Sequence, residues 1–165
     1  MDRLNSDKRS WLMSRIGSKD TTPECFVRSL LHRNGFRFRL YVKALHGRPD
    51  IVLPKYKMIV DVRGCFWHKH ENCKYCRVPS TNSNVWINKM QNNALRDKNN
   101  TCIWQAEGWS VFVVWSCLIK RVNNSTHDVI CQYILESFVE SIRNNCSYRE
   151  ISWDSFAKWR ETLYA

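Results

Sequence analysis

Hydrophobic and polar positions follow more than one rhythm along this chain, and each rhythm predicts an element. Thr22-Pro23-Glu24 opens a helix, with a cap, a proline at the first position and an acid in the first turn. Phe26, Val27, Leu30 and Leu31 then recur at helical spacing, and Asn34-Gly35 stops the helix. Phe36, Phe38 and Leu40 alternate with Arg37 and Arg39, which predicts a half-buried strand. IVL at 51–53 and MIVDVR at 58–63 flank Pro54 and predict two antiparallel strands.

Residues 64–83 keep no period and read as a long irregular loop. Asn82-Ser83-Asn84 can cap a helix running to about Glu107, with Gly108 as its stop. WSVFVVW at 109–115 predicts a buried strand. Thr126 to Ile142 predicts an amphipathic helix with Val129, Ile130, Tyr133, Ile134 and Phe138 inward. In residues 147–165, Trp153, Phe156, Trp159 and Leu163 are spaced partly as a helix and read as packing. A basic helix from Ser6 or Asp7 to near Gly17 precedes the rest. The order α-α-β-β-β-loop-α-β-α predicts an α/β fold, a mixed central sheet flanked by helices, in one domain over residues 1–165.

Charge narrows the function classes. Lys and Arg number 26 against 15 Asp and Glu, a net charge of +11. That excess favours a polyanion such as nucleic acid, because each phosphate contact releases condensed counterions. No run approaches the roughly 18 apolar residues of a membrane helix, and MDRLNSDKRSW lacks the apolar segment of a secretory signal. A cytoplasmic protein is expected. In a reducing cell, clustered cysteines read as metal ligands before they read as disulfides.

Strand periodicity sorts the two central strands by face. Asp50 and Val52 share one side, and Asp61 and Arg63 can meet them there, while Met58, Val60 and Val62 form the apolar side. Two neighbouring carboxylates repel, and a hard divalent cation such as Mg²⁺ relieves that repulsion. The bland alternative is a turn acid at Asp50 and a surface ion pair between Asp61 and Arg63. Pro49-Asp50, ten residues, then Asp61-x-Arg63 resembles the PD-(D/E)xK nuclease signature, with arginine where that pattern carries lysine. Arginine keeps its proton above about pH 12, so proton transfer falls to another group, and His68 stands five positions on.

Cys65, His68, His70, Cys73 and Cys76 crowd one stretch, and Cys117 follows the strand at 109–115. Zinc takes four N/S ligands in structural sites. Cys65, His70, Cys73 and Cys117 are the preferred set, with Cys76 as the rival fourth ligand and His68 left for acid–base chemistry. Phe66-Trp67 lies between the first of these cysteines and His68, and Trp86 opens the next helix. Such rings can wedge between base steps and kink a duplex. Lys89, Asn93 and Arg96 follow at spacing suited to one phosphate- or base-facing side of that helix.

GRPD at 47–50, GCFWH at 64–68, Val78-Pro79, Asn84-x-Trp86-x-x-Lys89, Asn93, Arg96-Asp97, Gly108-Trp109 and Val114-Trp115 together resemble the very short patch repair DNA mismatch endonucleases, over about residues 6–120. The resemblance implies a restriction-endonuclease-like fold and a bacterial, monomeric DNA repair enzyme. It implies Mg²⁺-dependent nicking of one strand beside the thymine of a T·G mismatch left by deaminated 5-methylcytosine. Double-stranded DNA with a mismatch is then the substrate, and mismatch-repair proteins are candidate partners. It implies that Asp50 and the Val62 carbonyl contact the catalytic ion, that His68 is catalytic, and that Glu24 is a helix glutamate near the site. It also implies that Asp97 supports the group at position 63. Cys65, His70, Cys73 and Cys117 match zinc ligands, and Phe66, Trp67 and Trp86 match intercalating aromatics. The basic N-terminal helix matches a segment that reaches across the minor groove.

This chain departs from the family at Val62-Arg63, where the pattern has Thr-His, and at Asp61, where it has an apolar residue. His68 is then the sole histidine for proton transfer, with Arg63 steadying charge on the phosphate. Two alternatives stand beside mismatch repair: a restriction-type or nicking endonuclease on unmodified duplex, and a zinc-stabilised DNA-binding module whose nuclease site has decayed.

Overall fold

The computed structural model describes Gly17 and residues 19–163. The expected basic first helix lies outside the described residues. The first described helix, α1 (Thr22–Arg33), has Pro23 in its opening turn, and Gly35 at φ 83° takes the left-handed conformation that lets the chain turn away after it. Strands β1 (Arg39–Leu40), β2 (Ile51–Leu53) and β3 (Met58–Arg63) follow, with one 3-10 turn at Pro54–Tyr56. After an irregular stretch come the long helix α2 (Ser83–Ala106), strand β4 (Ser110–Trp115), the short helix α3 (Ser116–Ile119) and helix α4 (His127–Arg143). Strand β5 (Tyr148–Ile151) and helix α5 (Trp153–Leu163) complete the order.

The five strands form one sheet in chain order. β1, β2 and β3 pair antiparallel, whereas β3, β4 and β5 pair parallel, so the sheet is mixed. Alternation sends the two sides of each strand to different cores. Ile51, Leu53, Met58, Val60, Val62, Phe112 and Val114 pack beneath α1, α4 and Phe156 of α5. Val52, Ile59, Val111, Val113 and Trp115 pack with Trp104 of α2. Burial of these apolar surfaces, at roughly 25 cal/mol per Å², is the main force joining the three layers.

Four expectations change. The strand predicted over 36–40 shrinks to Arg39–Leu40, the two residues that pair with Val52 and Ile51 of β2. Phe36 and Phe38 still pack on the core. Asn82 precedes α2 in a left-handed conformation, φ 54°, and its side chain makes no capping hydrogen bond. Residues 147–165 hold a strand as well as a helix: β5 buries only Ile151, so its alternation carries little apolar signal. Leu163 of α5 stays exposed, while Trp153 and Trp159 pack on the core as expected.

Phe138 meets Phe36 at 5.0 Å and Phe112 at 5.4 Å between ring centroids, both edge-on. Phe138→Ala is expected to lower stability by about 3–5 kcal/mol in urea unfolding. A loss below about 1 kcal/mol would show that this face is not the main core.

Candidate active site and metal centre

The β2–β3 hairpin brings the two sequence-marked carboxylates onto the α2 side of the sheet. Asp50 stands one residue before β2, and its Oδ2 accepts the Val62 N–H at 3.0 Å. Asp61 is half-buried and accepts from Arg63 Nε at 2.8 Å. Burial, and then the Asp61 charge, push the Asp50 carboxyl up to about 7, against the Val62 hydrogen bond. A buried acid held near a second carboxylate is an arrangement that suits a hard cation.

Arg63 is only 7% exposed, so the Asp61–Arg63 pair is internal rather than a surface ion pair. Burial works against its charge, but the Asp61 carboxylate outweighs it and keeps the guanidinium firmly protonated. Its Nη2 donates to the Thr101 hydroxyl of α2 at 3.1 Å.

Glu24 lies buried at the start of α1 and adds its charge to the field at Asp50. Its carboxylate already accepts from the Asp20 amide at 3.0 Å, the Thr21 hydroxyl at 2.7 Å, Arg28 at 2.8 Å and the Tyr41 hydroxyl at 2.8 Å. Four donors occupy this acid, so it acts on the site through its field and through the lock it forms between α1 and Tyr41.

His68 follows a tight turn in which its N–H donates to the Gly64 carbonyl at 3.0 Å. Its Nδ1 lies 2.5 Å from Asp97 Oδ2. With Nδ1–H given to the carboxylate, Nε2 carries the free lone pair. Asp97, expected to support position 63, meets His68 directly and also acts on Arg63 through its charge. Arg63, His68, Asp97 and Thr101 line one open groove of about 550 Å³, with Tyr148 and Glu150 of β5 at its wall. Asp50 and Asp61 do not line this groove; Asp61 is joined to it by its ion pair with Arg63.

Sequence reasoning missed Thr101 and Asn100. Both are buried on α2, and a Cβ at Gly47, whose φ is +68°, would lie 2.5 Å from Asn100 Nδ2. The loop leading to Asp50 thus needs glycine to approach the helix. Neither residue type is marked in a helix already rich in asparagine.

The metal centre draws on separate segments. Sulfur or ring nitrogen atoms of Cys65, His70, Cys73 and Cys117 all lie within 4.8 Å of one another. Tetrahedral zinc with its usual Zn–S and Zn–N lengths sets ligands roughly 3.5–3.8 Å apart. Cys117 Sγ and His70 Nδ1 stand at 3.7 Å, so the donor set and spacing fit a structural zinc site. Cys76 is not in this group. The Cys117 side chain draws the Cys65 thiol down to about 3 against the effect of burial, with His70, Ser116 and the Cys117 amide assisting. These contacts favour the Cys65 thiolate, the form that binds metal, while the same pairing pushes the Cys117 thiol up. Trp115 stacks on the His70 ring at 4.0 Å and fixes its plane.

Phe66, Trp67 and Trp86 meet as one half-buried cluster, with centroids 5.1, 5.5 and 6.0 Å apart. Lys89 Nζ lies 5.2 Å from the Trp67 ring centroid. Asn93, expected to face outward with Lys89 and Arg96, donates to the Trp67 carbonyl at 2.9 Å and ties the turn to α2. Arg96 remains exposed.

Known proteins share this layout in sequence. A family model described as DNA mismatch endonuclease Vsr matches residues 1–74. The type II nicking enzyme V.XorIIP of Xanthomonas oryzae pv. oryzae is 46% identical over 116 residues, covering 70% of this chain and 85% of its own length. V.NmeAIP, a type II nicking enzyme of Neisseria meningitidis, is 38% identical over 143 residues, or 87% and 97% of the two chains. DNA mismatch endonuclease Vsr of Escherichia coli is 34% identical over 128 residues, or 78% and 81%. Similarity of this extent, with the family match running through the acidic hairpin and the aromatic turn, makes the chain a member of the Vsr family of DNA endonucleases.

Proposed function

We propose that this endonuclease nicks one strand of duplex DNA at a defined site. The observation that carries the proposal is the shared groove: His68, oriented by Asp97, faces the same space as Arg63, beside the three-ring cluster. Two relatives named as type II nicking enzymes support this reading over repair of T·G mismatches.

Asp50 and Asp61 would hold a Mg²⁺ ion. When bound, such an ion polarises a phosphoryl oxygen and supplies hydroxide near neutral pH. His68 Nε2 takes the proton of the attacking water as the bond from phosphorus to the leaving sugar oxygen breaks. Arg63 steadies the charge that grows on the phosphate. Phe66, Trp67 and Trp86 press into the base stack, while Lys89 and Arg96 meet the backbone. A zinc ion on Cys65, His70, Cys73 and Cys117 fixes the turn that carries the rings.

A second reading keeps the mismatch. The three-ring cluster favours it, because unstacking costs less where pairing is already lost. Matched and T·G duplexes of one sequence, assayed with Mg²⁺ and with EDTA, separate the two. Comparable Mg²⁺-dependent nicking of both supports the first, at least tenfold preference for T·G supports the second, and no nick on any duplex overturns both.

His68→Ala should lower the nicking rate by about 10²–10⁴-fold while duplex affinity stays within a few-fold; an unaltered rate would remove His68 from the chemistry. For the metal centre, elemental analysis should give one zinc per chain. Cys73→Ser should lose that zinc and melt at least about 5 °C lower, and equal melting of zinc-free and zinc-loaded protein would refute a structural role.

A further inference from the structure

Helix α2 turns a polar stripe, not an apolar one, toward the site. Asp97, Asn100 and Thr101 are all buried on it. Asp97 and Thr101, one turn apart, hold different groups: the first meets His68 and the second meets Arg63. We propose that Thr101 is a positioning residue for cleavage, its hydroxyl locking the Arg63 guanidinium at the edge of the groove. The inference rests on the role given above to Arg63.

A guanidinium is planar and carries five N–H donors. The Asp61 contact, through Nε, fixes one point of that plane and leaves it free to pivot. Thr101 supplies a second point through Nη2 at 3.1 Å. Two contacts along its edge then set the direction in which the remaining N–H groups face. Trp115 closes the third side, with Arg63 Cζ 5.9 Å from its ring centroid.

Helix formation does not explain threonine at this position. It is poorer than alanine in a helix interior, by up to about 0.7 kcal/mol, and apolar side chains pack there without unpaired polar atoms. An unpartnered Nη2 at a residue 7% exposed is costly, and the guanidinium would swing to find another acceptor. Glu150 lines the same groove and already accepts from the Tyr148 hydroxyl at 2.9 Å, which makes it the acid of that wall. A guanidinium drawn to that acid is no longer available to a phosphate.

Thr101→Val keeps the shape and removes the hydroxyl; Thr101→Ser keeps the hydroxyl. Single-strand nicking is followed on a labelled duplex that the unaltered protein cuts, with duplex affinity measured in EDTA, zinc content and melting temperature alongside. The expected result is a kcat about tenfold lower for Thr101→Val, with KM, duplex affinity and zinc content within twofold of the unaltered protein. Thr101→Ser should return kcat to within twofold. An unchanged kcat in Thr101→Val, or equal loss in Thr101→Ser, overturns the proposal. If the valine variant does not fold, Thr101→Ala carries the same comparison. Arg63→Met distinguishes the two levels: an unchanged rate in that variant overturns the role of Arg63 itself. A reduced rate there beside an unaffected Thr101→Val overturns only the positioning role.

Discussion

Parallel pairing of β3 with β4 sets Arg63 opposite Trp115, and the chain leaves both strands in step. Cys65 and Cys117, each two residues further on, therefore emerge side by side, with the Cys65 N–H donating to the Ser116 hydroxyl at 3.1 Å. Half of the metal centre is fixed by that register. His70 and Cys73 then fold back from the irregular loop to complete it. The same register seats Trp115 against the His70 ring, with the Arg63 guanidinium carbon 5.9 Å from its ring centroid. A one-residue slip would send Arg63 and Asp61 into the apolar core and separate the two thiols.

The second organising element is α2, which combines a scaffold's length with a site's polarity. Its buried face contacts the loop before Asp50 through Asn100, the His68 ring through Asp97, Arg63 through Thr101, and the aromatic turn through Asn93. Groups from two stretches of chain, the Gly47 loop and residues 63–68, are thus referred to one rigid rod. On the other side of the sheet, α1, α4 and α5 enclose a conventional apolar core, and the buried Glu24–Arg28 pair of α1 reaches the site through its charge. Asp50, Asp61 and the Arg63 guanidinium lie on the α2 side.

Where a physical rule works locally, the sequence was legible. Strand alternation assigned Asp50, Asp61 and Arg63 to one side, and ligand chemistry marked Cys65, His70, Cys73 and Cys117 with Cys76 as a rival, which the fold leaves out of the group. Phe66 and Trp67 stood out because adjacent rings in a long irregular loop have no single apolar face to share. Contacts made across the fold were not legible. Thr101 and Asn100 are unremarkable polar residues until β3 and the Gly47 loop meet them. Asp97 was placed near the site, but its partner depended on how the loop after Gly64 turned, and that turn delivers His68. Strand β5 escaped notice because an edge strand that buries one residue leaves almost no hydrophobic period to read.

The spacing of these contacts along the chain has a consequence for the order of assembly. The hairpin carrying Asp50 and Asp61 is local and can close early. The link between Cys65 and Ser116 spans 51 residues and waits until β4 has been synthesised and docked. Until then the loop with His68 has no thiolate clamp to shape it and no completed groove to line. A nascent polypeptide therefore carries its acids well before it carries a cutting edge, and the hydrolytic apparatus matures only once contacts spanning 51 residues and more have closed.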